Sequence, residues 1–267
     1  MNPHFPRTPV MNLRTLIRSQ HPVIAAALGQ FCTPKFVEIM AMSGKYHALW
    51  LDQEHVGLTT PQIEDACRAA RVHRMPTFVR LPATDYAAVM RPLEAGADGV
   101  MASMVRSLQE VKNLVHWAKF HPEGGRGVNG TGVDGKFGTY PGAEYFKLAN
   151  ERSFLAVQIE HVDALNVVEE IAAVPHLDLL FIGPADLSQS LGLPNQWEHP
   201  EMWKAIERVA KASQKHGVPW GILPRDAAYA QRCLDLGCRL LSIGMDSPII
   251  QKGIRAYWED WAPFALA

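Results

Sequence analysis

Short apolar runs alternate along this chain with longer stretches whose apolar residues recur at helical spacing. The runs at 23–28, 48–52, 77–80, 99–102, 154–159, 179–182, 219–223 and 240–243 predict eight strands. Between them, 60–71 places Ile63, Ala66, Cys67 and Ala70 on one helical face, and 226–236 does the same with Ala230, Cys233 and Leu234. Glycine ends two of these helices just before a strand, at Ala95-Gly96-Ala97-Asp98 and Leu236-Gly237-Cys238. Strands that alternate with helices in this way are parallel, and eight such units favour a closed (β/α)8 barrel spanning 1–267 as a single domain. An open doubly wound sheet is the alternative. It is disfavoured because no GxGxxG follows the first run. A segment at 12–19 is placed to form a helix that closes the bottom of the barrel.

One stretch breaks the rhythm. About thirty residues, 121–150, separate the fourth helix from the fifth strand, longer than an ordinary connection. Its centre, 124–142, reads GGRGVNGTGVDGKFGTYPG. It is either a lid over substrate or a surface excursion used between subunits.

Composition narrows the function classes. At 267 residues the chain has the length of one barrel, for which about 250 is typical. It is 48% hydrophobic and 20% charged, with a net charge of -1, so it carries no footprint for nucleic acid or an acidic membrane surface. No apolar run approaches the roughly 18 residues of a membrane span, and the opening MNPHFPRTPVMNLR lacks the apolar centre of a signal peptide. Cys32, Cys67, Cys233 and Cys238 form no CxxC pair and read as reduced structural thiols of a cytoplasmic protein.

Chemistry in a barrel sits at the C-terminal ends of its strands, and the unusual polar residues fall there. The second strand ends LWLDQEHVG and delivers Asp52, Glu54 and His55. A carboxylate three residues before a histidine can fix its tautomer, or the set can be a satisfied turn. The third strand ends FVRLP with Arg80, which can neutralise a carboxylate or a developing enolate, or form a structural ion pair. The fifth reads AVQIEH. Gln158 and Glu160 lie two apart and so share a side, which in a barrel is the lumen. A bare carboxylate is costly there, and a metal would offset the cost. Asp186, in FIGPADLS after the sixth strand, supplies a second oxygen ligand; two carboxylates plus water suit Mg2+, Mn2+ or Co2+. His161 is a third ligand or part of the wall. Gly183-Pro184-Ala185-Asp186 opens a helix whose free N–H groups can hold a carboxylate. No lysine lies in a predicted strand, which favours a metal-dependent route over an imine route.

LWLDQEH, VRLP, the later GRG, VQIE and FIGPADLS, in this order, resemble the HpcH/HpaI aldolase family over roughly residues 20–255. The resemblance implies a TIM barrel of the phosphoenolpyruvate/pyruvate-domain type and class II pyruvate aldolase chemistry: cleavage of a 4-hydroxy-2-oxo acid to pyruvate and an aldehyde. It implies a hexamer of paired subunits that exchange a C-terminal helix. By position, Glu160 and Asp186 would bind the divalent metal, and Arg80 the oxo or enolate oxygen. His55, oriented by Asp52, would be the acid/base group. Gln158 would contact pyruvate or a metal water, and backbone N–H groups around Gly183 and Ala185 the substrate carboxylate. Leu81, Ser103 and His161 depart from the family's usual residues and bear on the acceptor aldehyde. Two other readings stand beside this one: a related 2-oxo-acid lyase or decarboxylase on the same site, and a catalytically silent barrel with a binding role.

Overall fold

The computed structural model describes residues 12–264, so most of the opening segment read for a signal peptide lies outside the described residues. Its strands are β1 (Val23–Leu28), β2 (Ala48–Asp52), β3 (Thr77–Pro82), β4 (Gly99–Ser103), β5 (Phe154–Ile159), β6 (Leu179–Ile182), β7 (Trp220–Ile222) and β8 (Leu240–Met245). All pair in parallel and in sequence order, and β8 returns to β1 to close the barrel. The helices are α1 (Leu13–Ile17), α2 (Pro34–Met42), α3 (Thr60–Val72), α4 (Tyr86–Glu94), α5 (Leu108–Ala118) and α6 (Gly142–Arg152), then α7 (Val162–Asn166), α8 (Val168–Ala172), α9 (Pro184–Ser190), α10 (Pro200–His216), α11 (Ala227–Asp235) and α12 (Asp246–Glu259). The chain therefore folds as the (β/α)8 TIM barrel that its periodicity predicts. Among the described residues no helix is long and apolar enough to cross a membrane.

Local chemistry fixes the helix ends. Thr59 and Gln62 form a capping box at α3, as do Ser107 and Glu110 at α5. Asp85 and Asp226 cap α4 and α11. Gly237, in the left-handed region at φ 87°, turns the chain from α11 towards β8.

The core has two layers. One lies between the strands and the outer helices. The other fills the lumen with alternate strand residues, among them Ala25, Ala27, Trp50, Phe78, Met101, Phe154 and Phe181. Leu13 and Ile17 of α1 are fully buried against that second layer, so the N-terminal helix plugs the bottom as expected.

The stretch 121–150 is not the long irregular connection that its glycines suggested. Its last part is α6, whose Tyr145 is buried against Phe120 at 5.2 Å between ring centres. The glycine-rich part folds around a buried ion pair, Arg126 to Asp134 at 2.6 Å, and Tyr145 donates to the same carboxylate at 2.8 Å. It follows a helix and precedes a strand, so it lies on the side of the strand N-termini. There Asn129 donates to Glu94 at the end of α4. The reading of 124–142 as a lid over this chain's own substrate mouth is therefore corrected: topology carries the segment to the opposite end of the barrel.

Candidate active site

The parity that sends Ala48 and Trp50 into the lumen also sends Asp52 there, at the C-terminal edge of β2. In the β2–β3 pairing, Asp52 is the register partner of Arg80. The two meet as a fork: Arg80 donates from Nε at 3.1 Å and from Nη2 at 2.7 Å to the two carboxylate oxygens. The guanidinium lies 4.6 Å from the Trp50 ring centre, and the indole in turn donates to Ser242 across the lumen at 2.8 Å. The arginine thus rests on an aromatic floor with an aspartate along one edge.

Asp52 Oδ1 also accepts from the backbone N–H groups of Glu54, at 3.0 Å, and His55, at 3.3 Å. It orders the turn, but its contact is with the backbone of His55. The expectation that Asp52 would orient the imidazole itself is corrected: Asp52 is engaged by Arg80 and by backbone N–H groups, and its side chain is not the acid beside the ring. The carboxylate that reaches the imidazole is that of Glu54, 3.7 Å from Nε2, and it also lies 3.1 Å from Arg80 Nη1. The His55 side chain is 64% exposed at the mouth. The sequence reading delivered Glu54 to the site without a role; the signal for it was its place in DQEH, two residues beyond a lumen-facing aspartate.

Gln158 and Glu160 share the lumen side of β5 and its end, and each is 2% exposed. Glu160 Oε1 accepts from the Met104 N–H at 2.7 Å. Met104 makes that contact from the left-handed region, at φ 51°, which costs energy for a side chain of its kind. The other oxygen lies over Gly183, where a Cβ would come within 2.1 Å of Glu160 Oε2. Gly183 is needed for this close approach, a reason the sequence reading did not give. Burial pushes the Glu160 carboxyl up to about 7, with the charges of Glu54 and Asp186 adding and the Met104 N–H and Arg80 opposing.

Asp186 stands exposed in the first turn of α9. The N–H groups of Ala185 and Asp186, being in that turn, have no intrahelical acceptor. His161 takes a different place: its Nδ1 accepts from the Asp163 N–H at 3.2 Å and caps α7. Among the described residues no three His, Cys, Asp or Glu side chains converge as a metal cage.

The donor set fits a hard divalent cation. Glu160 is buried among like charges, while Arg80 is already engaged by Asp52 and Glu54. Gln158 Oε1 is buried with no hydrogen-bond partner. Two carboxylates with positions left for water or substrate match the oxygen coordination of Mg2+ or Mn2+.

Known proteins resemble this chain in sequence and in fold. The sequence pattern described as HpcH/HpaI aldolase/citrate lyase matches residues 10–252. A hydroxypyruvate/pyruvate aldolase of Sagittula stellata is 32% identical over 232 residues, 87% of this chain and 90% of that protein. A 4-hydroxy-2-oxovalerate aldolase of Novosphingobium aromaticivorans is 33% identical over 250 residues, 92% of this chain and 93% of its own length. The crystal structure of an HpcH/HpaI aldolase/citrate lyase family protein from Burkholderia cenocepacia J2315 superposes with a TM-score of 0.87 at 30% identity, covering 94% of this chain and 98% of that one.

Proposed function

The chain belongs to the HpcH/HpaI aldolase/citrate lyase family, and from that premise we propose that it is a divalent-metal-dependent aldolase cleaving a 4-hydroxy-2-oxo acid to pyruvate and an aldehyde. It is a carbon–carbon lyase, and its substrates are small molecules. Glu160 and Asp186 are the residues that would hold the metal. The observation that carries the reading is Glu160, a carboxylate 2% exposed, beside a buried amide oxygen with no partner, at the strand ends of a barrel.

A divalent cation held there would supply a Lewis acid for the oxygens of the 2-oxo acid. The chain's own groups do the rest. Arg80, anchored by Asp52, presents its remaining N–H groups to the 2-oxo oxygen and stabilises the charge that develops on it. The first-turn amides of Ala185 and Asp186 face the substrate carboxylate. Gln158 Oε1 accepts from a water or a substrate hydroxyl. His55 takes the proton of the 4-hydroxyl group. The C3–C4 bond then breaks, its electron pair forming the enolate of pyruvate, and the aldehyde leaves. Protonation at C3 completes pyruvate.

Mg2+, Mn2+ and Co2+ all suit this donor set. We place the chain in a homo-oligomer, a hexamer of paired subunits. Ile254, Tyr257 and Trp258 of α12 stand exposed, followed by Trp261 and Phe264, and they support that reading. We place it in the cytoplasm on the strength of four buried, unpaired cysteines. A pyruvate-release assay over a panel of 4-hydroxy-2-oxo acids tests the function. Activity lost in excess chelator and restored by added Mg2+, Mn2+ or Co2+ supports it; full activity in chelator overturns the metal route.

A further inference from the structure

His55 is the least constrained group in the site. Its imidazole is 64% exposed, and among the described residues the Glu54 carboxylate is the one acid within 4 Å of it. The backbone beneath is fixed. The N–H groups of 54 and 55 both donate to Asp52, Gln53 N–H donates to the Arg80 carbonyl at 2.9 Å, and the Gln53 amide donates to the Leu58 carbonyl at 2.9 Å. What the backbone leaves free is the side-chain rotamer and the tautomer, and a general base needs both set.

We propose that Glu54 is the positioning residue for His55, holding the proton on Nε2 so that Nδ1 is the basic nitrogen; this rests on the aldolase reading above. Among the described contacts Asp52 does not reach the imidazole. Its oxygens are held by Arg80 and by two backbone N–H groups, and turning to the imidazole would release the arginine. Glu54 is differently placed. It is 14% exposed, 3.1 Å from Arg80 Nη1 and 3.7 Å from His55 Nε2, with one carboxylate oxygen serving both. Nor is Arg80 its dependent: the guanidinium keeps the fork to Asp52 and the Trp50 face without it. Of the two contacts, the one with the imidazole has no substitute, so that is where removal is felt. A carboxylate on one imidazole nitrogen fixes which nitrogen carries the proton and raises the basicity of the other. The 3.7 Å separation exceeds hydrogen-bond range, and catalytic contacts are often long in ligand-free proteins and tighten with substrate bound.

The test uses the full chain loaded with Mg2+ and the variant Glu54→Met, which keeps the length of the side chain and removes its acceptor. Aldol cleavage should lose about 10- to 100-fold in kcat, with KM changed by less than about two-fold. Oxaloacetate decarboxylation needs the enolate but no proton from a 4-hydroxyl, and should stay within about two-fold of wild type. In a His55→Ala background the same substitution should add no further loss. Equal losses in both reactions would show Glu54 acting through Arg80, and additive losses would show it independent of His55; either overturns the proposal, as does an unchanged kcat. Imidazole 15N shifts at pH 8.5, with His55 assigned by its absence from the His55→Ala spectrum, give a readout that needs no turnover. The wild type should show the Nε2-protonated form and Glu54→Met a mixture. A wild-type His55 protonated on Nδ1 overturns the proposal whatever the enzyme's substrate. A wild type that cleaves no 4-hydroxy-2-oxo acid shows instead that the aldolase reading has failed.

Discussion

At the N-terminal end of the barrel, Lys119 and Asp178 are each wholly buried and each saturated. Lys119 Nζ donates to the carbonyls of Asn150 at 2.7 Å and Ser153 at 2.8 Å and to the Ser153 hydroxyl at 2.9 Å. Asp178 accepts from Arg14 at 2.8 Å and from the Leu155 N–H at 3.0 Å. At the C-terminal end Glu160 is as deeply buried, yet it has a single donor and like charges around it, and Gln158 Oε1 has none. Both ends hold buried polar groups, so burial alone does not mark a functional site. A poorly satisfied carboxylate and an unpaired amide side by side at the strand C-termini do, because an unpaired buried group costs on the order of 1–3 kcal/mol and persists where something else is to complete it; a lone unpaired atom does not, since Arg126 Nε is one at the opposite end.

The sharpest way to break this comparison is to remove the unsatisfied carboxylates. Glu160→Ala and Asp186→Ala should each lower turnover by at least about 1,000-fold, as loss of a main stabiliser of developing charge does. Metal binding, read by calorimetry, should disappear while the melting temperature of the metal-free protein is held or raised, since removing Glu160 relieves a poorly partnered charge. A variant that unfolds would place Glu160 with Asp178, as a structural group. The metal-free protein adds a pH arm. The folded carboxyl sits at about 7, above its ordinary 4.5. Its contribution is thus full below about pH 4.5 and lost as pH rises through about 7. Metal affinity should run the other way, tightening by up to about ten-fold per pH unit below 7. An affinity flat from pH 5 to 7 in the wild type would remove Glu160 from the ligand set.

The histidine comes next. His55→Ala should cost about 100- to 10,000-fold in aldol cleavage and far less in oxaloacetate decarboxylation. Equal losses would move His55 from proton transfer to enolate or metal support.

Arg80→Lys should lower both reactions together, by about 100- to 1,000-fold, because both pass through the enolate and an ammonium cannot reproduce the fork to Asp52. The structure changes what is expected of Asp52→Asn. Since the carboxylate grips Arg80, the loss should follow the arginine pattern, smaller in size and shared by both reactions. A loss confined to aldol cleavage would instead return Asp52 to the imidazole.

How far the chain could be read in advance follows from the range of each interaction. The eight strands were legible because a buried parallel strand is a short apolar run, and their bounds held within two residues, β7 being one residue shorter at each end than 219–223. Asp52, Arg80, Gln158, Glu160 and Asp186 were legible because strand parity and strand ends are local facts. What failed was pairing. The spacing of Asp52 and His55 pointed to a local partnership, but the register of β2 on β3 sets Asp52 opposite Arg80, and cross-strand register is invisible in the spacing of one strand. α6 was hidden because the glycines before it dominate the stretch. The left-handed Met104 had no local signal at all, being held by Glu160 from 56 residues away.

The smallest effect belongs to the saturated end, and it is on stability alone. Lys119→Met removes the donor to two buried carbonyls and should cost about 2–4 kcal/mol in denaturant unfolding, with turnover per folded molecule unchanged because the site lies at the other end of the lumen. Burial holds the Lys119 amine at about 8, below its ordinary 10.5. Between those values the unfolded chain carries more protons than the folded one, so stability rises with pH, by up to about 1.4 kcal/mol per unit. The rise should be read between pH 8 and 9 as wild type minus Lys119→Met, because the four buried thiols, all raised from 9.0, titrate in the unfolded chain over the same range and act in the opposite sense in both proteins. An equal pH dependence in the two proteins would remove Lys119 as its source. If that variant instead loses turnover while keeping its stability, the two ends are not separate and the contrast between saturated and unsatisfied charge falls.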